Sequence, residues 1–561
     1  MSTRKLIPLA AGLASIALLV TACSGSTTPE ASSSSSEDTS AVGDAVLTVG
    51  MPNGTQTENQ SPFASGSAAL SLGYAFVIYE PLMMVNDAKP ADPPTPWLAK
   101  SIEWNEDYTL ATITPESGVT WSDGEEFTAE DIAFSINLRK DFPGLNTAAL
   151  PYGDVAVEGD TVTVAFTAGQ FVNQAKLYDL LMVPEHLWAE VEDPTTFENT
   201  EPVGTGPYTL TSWTPQAATL DPNPTYWGGQ PKVGQLRYSS YNDNNGLTTA
   251  LTTGEAQWGW TFIADYENVY IAADPEHYNQ WAAGGLGIDA LFLNNETKPF
   301  DDKAFRQALN MALDRENITT LATSGVNPPI TSVSGMPTPS GDDFLSPDLA
   351  GQEFSADLDG AKTLLTDAGY TYDGDALIDP DGERVSFELT NPAGWNDYLT
   401  ALDLIKDTAT QLGAEVTVQP ANQDAWFEDI PAGRFQASLH WTDGGATPWD
   451  MYSNMMDGAQ YVPLEEAANW NFGRFQNDEG TAALATYASS SDEAARQEAL
   501  NTVQAVFAEE VPAIPIWVRP ATAQFSTVNY EGWPSADDPY NQPQPTGPQA
   551  AQIVMKLTPV G

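Results

Sequence analysis

The chain reads as an α/β protein in mixed layers with at least two lobes. Three observations lead there. Its 561 residues exceed what one hydrophobic core usually organises. Strand-like alternation and turn residues dominate the first half, and amphipathic helical stripes cluster in the second. Helices and strands are interspersed without a strict βα alternation, so helices and sheets must share several layers.

The elements follow in order. Residues 1–22 have the form of an export leader: Arg4 and Lys5, an apolar run over 6–20, then Thr21 and Ala22. That run is shorter than the roughly 20 residues a membrane span needs. It ends on small residues before Cys23, the single cysteine of the chain. A lone cysteine at that place is explained by acylation, so the mature protein is expected to begin at Cys23 and be lipid-anchored on the outer face of a bacterial membrane. Residues 23–44 are rich in Ser, Thr, Gly and Ala and cannot bury enough surface to offset their ordering entropy. They are expected to form a flexible linker.

Val46, Leu47 and Val49 begin the first strand, and 109–114 and 161–166 alternate as strands do. Thr128 caps a helix carrying Ile132, Ile136 and Leu138, with acids in its first turn. After Asp301 and Asp302, the residues Phe305, Ala308, Leu309, Ala312 and Leu313 form one apolar helical stripe. Another helix carries Leu358, Ala361, Leu364, Leu365 and Ala368 and stops at Gly369. Two more are expected near 396–412 and 492–509. No later segment is apolar for 18 residues, so no second membrane span is expected.

Composition excludes several functions. The formal net charge is -55, which repels phosphate backbones, so nucleic acid is not a partner. The same charge mildly favours neutral or cationic solutes. There is no nucleophile elbow, HExxH, phosphate-cradling glycine loop or CxxC pair. His186, His277 and His440 are scattered, so no metal site and no cofactor are expected. With 76 acidic residues, a carboxylate pair suited to glycoside hydrolysis is available by chance and argues for nothing. In the loop 204–208, Pro207 fixes φ and suits a turn rather than a nucleotide site.

Several motif blocks, taken in order, resemble the family 5 extracellular solute-binding proteins, the oligopeptide-, dipeptide- and nickel-type binding subunits of ATP-driven importers. They are Tyr79-Glu80-Pro81-Leu82; Leu98-Ala99-Lys100-Ser101 with Trp104, Tyr108 and Thr109; and 119–131, which reads VTWSDGEEFTAED. Then come Gly204-Thr205-Gly206-Pro207-Tyr208, Asn223 with Tyr226-Trp227, and Leu293-Asn294-Asn295. Phe305-Arg306-Gln307-Ala308-Leu309, Asp314-Arg315-Glu316, the 361–370 helix end and Val511-Pro512-Ala513-Ile514-Pro515 complete the set. The resemblance covers essentially the whole mature chain.

It implies a two-lobed periplasmic-binding-protein-like fold of class II type, with an extra domain inserted in the larger lobe. The expected division is a core domain of 45–79, 204–284 and 519–561, an inserted domain of 80–203, and a second lobe of 286–518. It also implies no covalent chemistry. The protein would close on a small solute, present it to permease subunits served by cytoplasmic ATPases, and remain membrane-tethered through Cys23.

Cleft residues are expected at strand ends: Asn53; Trp258 and Trp260, which would share a strand face by period two; and the block with Trp441, Asp443 and Trp449. In peptide-binding relatives this block carries an acid that meets the peptide amino group, followed by an Asp-Pro step. Here Ala446-Thr447-Pro448-Trp449-Asp450 replaces that step. The departure and the wealth of Trp tilt the expected ligand from oligopeptide toward short oligosaccharide, whose ring faces stack on aromatics. Trp395, Trp426, Trp470 and Phe472 complete the candidate set, although most Trp side chains in a folded protein serve as core. A lipid-anchored glycoside hydrolase stays open as the alternative function; product formation would distinguish it from a binder.

Overall fold

The computed structural model describes residues 43–64, 66–89 and 92–560. Cys23, the leader and linker residues 23–42 lie outside them. Three sheets organise the chain. A seven-stranded sheet runs in the order Tyr278–Ala283, Ala521–Ser526, Trp258–Gly259, Gly43–Met51, Val233–Ser240, Ala217–Pro222, Tyr208–Thr214. The first strand lies parallel to both of its neighbours.

A four-stranded antiparallel sheet uses Ala99–Trp104, Leu110–Pro115, Thr161–Phe166 and Tyr152–Glu158. Thr161–Phe166 buries every second residue, as its sequence alternation dictates. The helix Ala129–Asp141 covers this sheet. At its start the Thr128 N–H donates to the Asp131 carboxylate at 2.9 Å, one half of a capping box.

The third sheet has five strands, Glu415–Ala421, Ser386–Pro392, Ala437–Trp441, Ile288–Leu293 and Ala513–Val518. Its last two strands are buried at every position, which accounts for their near-continuous apolar sequence. The helices Lys303–Ala312, Leu358–Asp367 and Asn396–Gln411 lay their stripes into the same core. Asp302 and Asp357 accept hydrogen bonds from N–H groups of the first turns of the two shorter helices.

The chain crosses between the seven- and five-stranded sheets twice, at 284–287 and at 519–520. The Arg519 N–H donates to the Gly287 carbonyl at 3.0 Å, so the two crossings are tied side by side. Two sheets joined by paired crossings make the molecule a two-lobed α/β protein.

The motif blocks meet in space. Glu80 is fully buried; one oxygen accepts from Trp97 Nε1 (2.8 Å) and the Tyr226 hydroxyl (2.6 Å), the other from Trp227 Nε1 (2.9 Å). Gly204 and Gly206 run against 77–78 so closely that a Cβ on Gly204 would lie 1.9 Å from the Ile78 carbonyl oxygen. That contact by itself accounts for glycine in this loop. In the other lobe, Arg306 donates to the Val511 carbonyl (3.1 Å) and Arg315 to the Pro515 carbonyl (2.7 Å), fastening two helices to the last strand.

Candidate functional site

Polar and aromatic side chains from both lobes converge beside the crossings. Trp260 follows the short strand Trp258–Gly259 of the seven-stranded sheet, and Trp441 ends Ala437–Trp441 of the five-stranded sheet. Between them lies Arg519, its guanidinium carbon 5.8 Å from the Trp260 ring centroid and 5.0 Å from that of Trp441. Trp260 Nε1 donates to Thr522 Oγ1 at 3.0 Å, which fixes the indole plane.

Behind Trp441 is an aromatic cluster. The His440 ring stacks on Trp441 with centroids 4.0 Å apart and on Trp426 at 5.2 Å. Burial pushes the His440 imidazole down to about 3, and the nearby Arg519 charge acts in the same direction. The ring is therefore neutral and serves as a flat spacer. Trp395 approaches Trp426 edge-on at 5.1 Å and lies tilted to Trp441 at 6.1 Å, while Trp470 and Phe472 stand edge-on to His440 at 5.7 and 4.9 Å. The sequence-expected Trp395, Trp426, Trp441, Trp470 and Phe472 thus form one assembly.

The acidic side of the site lies on the next loop and helix. The Asp443 N–H donates to Asn454 Oδ1 at 2.7 Å. Asp443 is solvent-exposed, with Asp450, Lys176 and Arg519 close enough for their charges to act on its carboxyl. Loss of solvent and then repulsion from Asp450 raise its carboxyl to about 6, against the pull of Lys176 and Arg519. Asp450 is buried and pairs with Lys176 at 2.6 Å. Lys176 comes from Gln174–Tyr178, next to the four-stranded sheet, so this ion pair spans the two lobes. The same ammonium lies 4.9 Å from the Trp449 ring centroid, and Trp449 Nε1 donates to the Leu484 carbonyl at 3.1 Å. Two further contacts bridge the lobes: the Arg496 guanidinium over Phe171 at 3.9 Å, and Asp265 N–H to Ser324 Oγ at 3.0 Å.

Not every expected site residue has an open face. Trp258 is wholly buried, its Nε1 bonded to the Pro543 carbonyl and its ring 5.4 Å from Trp533. It does not present the face it was expected to share with Trp260, because the strand is only two residues long and its first side chain turns into the lobe core. Trp426 is 1% exposed, with Nε1 bonded to Ser438 Oγ at 3.0 Å; it and the buried Phe472 back the cluster rather than face outward. Asn53 lies at the end of the first strand, where its amide donates to the Ser71 carbonyl at 2.6 Å. Trp441, Trp260, Trp395, Trp449 and Trp470 are each half-buried.

Sequence reasoning passed over Arg519, Lys176 and Asp450. One signal was available: with 21 basic residues against 76 acidic ones, each cation near a lobe crossing carries weight. Two shallow recesses elsewhere, one of about 520 Å³ beside Tyr108 and Arg496 and one of about 360 Å³ beside Leu399 and Val418, contain none of the cluster's residues.

The sequence profile of the bacterial extracellular solute-binding proteins, family 5, middle region, matches residues 93–462. The chain belongs to this family. Its members are extracellular solute-binding proteins, which weighs against the hydrolase alternative. Among relatives, it is 26% identical to the oligopeptide-binding protein AppA of Bacillus subtilis (strain 168) over 59% of this chain, and 30% identical to protein XP55 of Streptomyces lividans over 56%. The matches span 62% and 57% of those relatives' lengths. Among solved structures, the fold superposes on a mannohexaose-bound periplasmic oligopeptide-binding protein of Thermotoga maritima with TM-score 0.82 and 22% identity, covering 92% of this chain and 98% of that one.

Proposed function

We propose that the protein captures a short oligosaccharide, or alternatively an oligopeptide, between its lobes and hands it to the permease subunits of an importer driven by cytoplasmic ATPases. The lobes of this reading are 45–79, 204–284 and 519–561 with the inserted 80–203 on one side, and 286–518 on the other. The observation that carries it is the convergence of Trp441, Trp260 and Asp443 beside the paired crossings. Flat, preordered aromatic faces with a few polar groups suit a solute that offers ring faces and hydroxyls. The sugar reading is favoured by the number of half-buried indoles there and by the mannohexaose held by the Thermotoga protein. Asp443 and the name of AppA favour the peptide reading.

The test is a thermal-shift screen with oligosaccharides and peptides, followed by calorimetric titration of the hits. Trp441→Ala is expected to weaken binding by about 2 kcal/mol or more, as a stacking hot spot does. Asp443 separates the two solutes. If it meets a peptide ammonium, Asp443→Asn weakens binding strongly and removes its salt dependence, and wild-type affinity falls as pH drops through about 6, where the carboxylate takes up its proton. If it accepts sugar hydroxyls, the Asn variant loses little and the pH profile is nearly flat. Unchanged binding in Trp441→Ala, Trp260→Ala and Trp449→Ala would refute the cleft assignment.

The anchor belongs to the same reading. Acylation at Cys23 would hold the protein at the outer membrane face beside its permease. Cys23→Ala is expected to shift the protein from the membrane fraction to the medium, or to leave it unprocessed. Full membrane retention of that variant would refute the anchor.

A further inference from the structure

We propose that Arg519 is a specificity-determining residue that selects solutes bearing a carboxylate. The inference deepens the cleft reading above and rests on it. Its basis is a guanidinium without an acceptor. Among the described residues no carboxylate lies within ion-pair distance of Arg519 and no carbonyl accepts from its side chain, although it is half-buried. The other arginines of the described chain are satisfied, apart from Arg237 on the exposed surface. Arg139, Arg306, Arg315, Arg474 and Arg496 donate to backbone carbonyls, and Arg384 and Arg434 to carboxylates. In a chain with so many acids, a half-buried arginine left unpaired beside the lobe crossings marks a place for an acceptor that arrives from outside.

The geometry fits that role. Arg519 is placed by its own backbone bond to Gly287 and by two indoles from opposite lobes. The two indoles flank the guanidinium at 5.8 and 5.0 Å, and a ring takes up none of the five N–H donors as a carboxylate or carbonyl acceptor would. A carboxylate meeting the guanidinium fork edge-on makes two parallel charge-assisted bonds, roughly twice as strong as neutral ones. The acids that feel the Arg519 charge, Asp289 and Asp443, do not fill this place: Asp289 is turned to Trp517 Nε1, and Asp443 lies beyond ion-pair distance of the guanidinium. The overall negative charge disfavours an anion at long range, but screening limits that field to about 8 Å at physiological salt, so the local cation decides inside the cleft.

A carboxylate reaches such a site from two sources, a hexuronate unit of an acidic oligosaccharide or the C-terminus of a peptide. Calorimetric titration of the mature protein with two matched pairs tests the proposal: a trigalacturonate against a neutral trisaccharide, and a tripeptide acid against its C-terminal amide. The wild type is expected to prefer the carboxylate member of one pair by roughly tenfold or more, and the pair concerned identifies the source. Arg519→Gln should level that pair, while Arg519→Lys, keeping charge without the fork, should restore part of the preference. Near-UV circular dichroism checks that both variants are folded. No preference in the wild type, or a preference that survives in Arg519→Gln, overturns the proposal. If Trp441→Ala still weakens binding in that case, the cleft reading stands without it. Failure of all four probes to bind the wild type counts against both.

Discussion

Glu80→Ala is expected to cost about 3 kcal/mol of stability and to lower the melting temperature by several degrees or more. Three donors, Trp97 Nε1, the Tyr226 hydroxyl and Trp227 Nε1, converge on this one carboxylate, and truncation strands them all. A buried donor without an acceptor costs roughly 1–3 kcal/mol; the two half-buried indoles recover part of that from water. The damage is not local. Trp97 precedes the four-stranded sheet and Tyr226-Trp227 turns between strands of the seven-stranded one, so Glu80 fastens one to the other. Denaturant unfolding of Glu80→Ala beside wild type measures the loss, and a change below about 1 kcal/mol would contradict this role.

The same group sets a pH dependence. Burial, opposed by the hydrogen bonds from Tyr226, Trp227 and Trp97, raises Glu80 from 4.5 to about 7. Because the folded state holds the proton more tightly than the unfolded state, the contribution of Glu80 to stability is complete below about 4.5 and is lost as pH rises through about 7. Stability of the wild type should accordingly fall across this window on account of Glu80. Glu80→Gln, which cannot titrate, should show a flatter profile even if it is less stable at every pH.

How much of this was legible in the sequence depends on the range of each interaction. The stripe from Phe305 to Leu313 and the cap at Asp302 are local, and the helix Lys303–Ala312 forms where they place it. The blocks Tyr79-Glu80 and Tyr226-Trp227 were legible as separate motifs, but nothing local tells that one carboxylate joins them across 146 residues. Trp258 shows how a local rule fails. Period-two reasoning needs a strand long enough to have two faces, and here the strand is two residues long with Trp533, far along the chain, packed on its first side chain. Trp441 was legible because an aromatic followed by an acid sits in a motif block. Arg519 was not, because what distinguishes it is the absence of an acceptor, and only the folded arrangement of the other arginines makes that visible.

Lys176→Met is expected to weaken solute binding by on the order of 100-fold, a loss of about 3 kcal/mol. Lys176 and Asp450 pair at 2.6 Å across the lobes, with Asp450 8% and Lys176 27% exposed. Burial holds the Asp450 carboxyl above its usual range despite the neighbouring ammonium, so the carboxylate depends on that partner. Removing it leaves a buried, unpaired charge, the costly way to break an ion pair. The pair is present without solute, so its loss is read in the melting temperature as well as in affinity, the affinity loss measuring how far solute binding depends on the lobes being held together. Asp450→Asn should lose less, because a neutral amide is cheaper to bury and Lys176 keeps its place over the Trp449 ring. The double variant should bind better than Lys176→Met alone, since the orphaned carboxylate is gone. Titration of the four proteins with one solute closes the double-mutant cycle. Equal losses in the two single variants, simply adding in the double, would mean that the pair does not hold the lobes together.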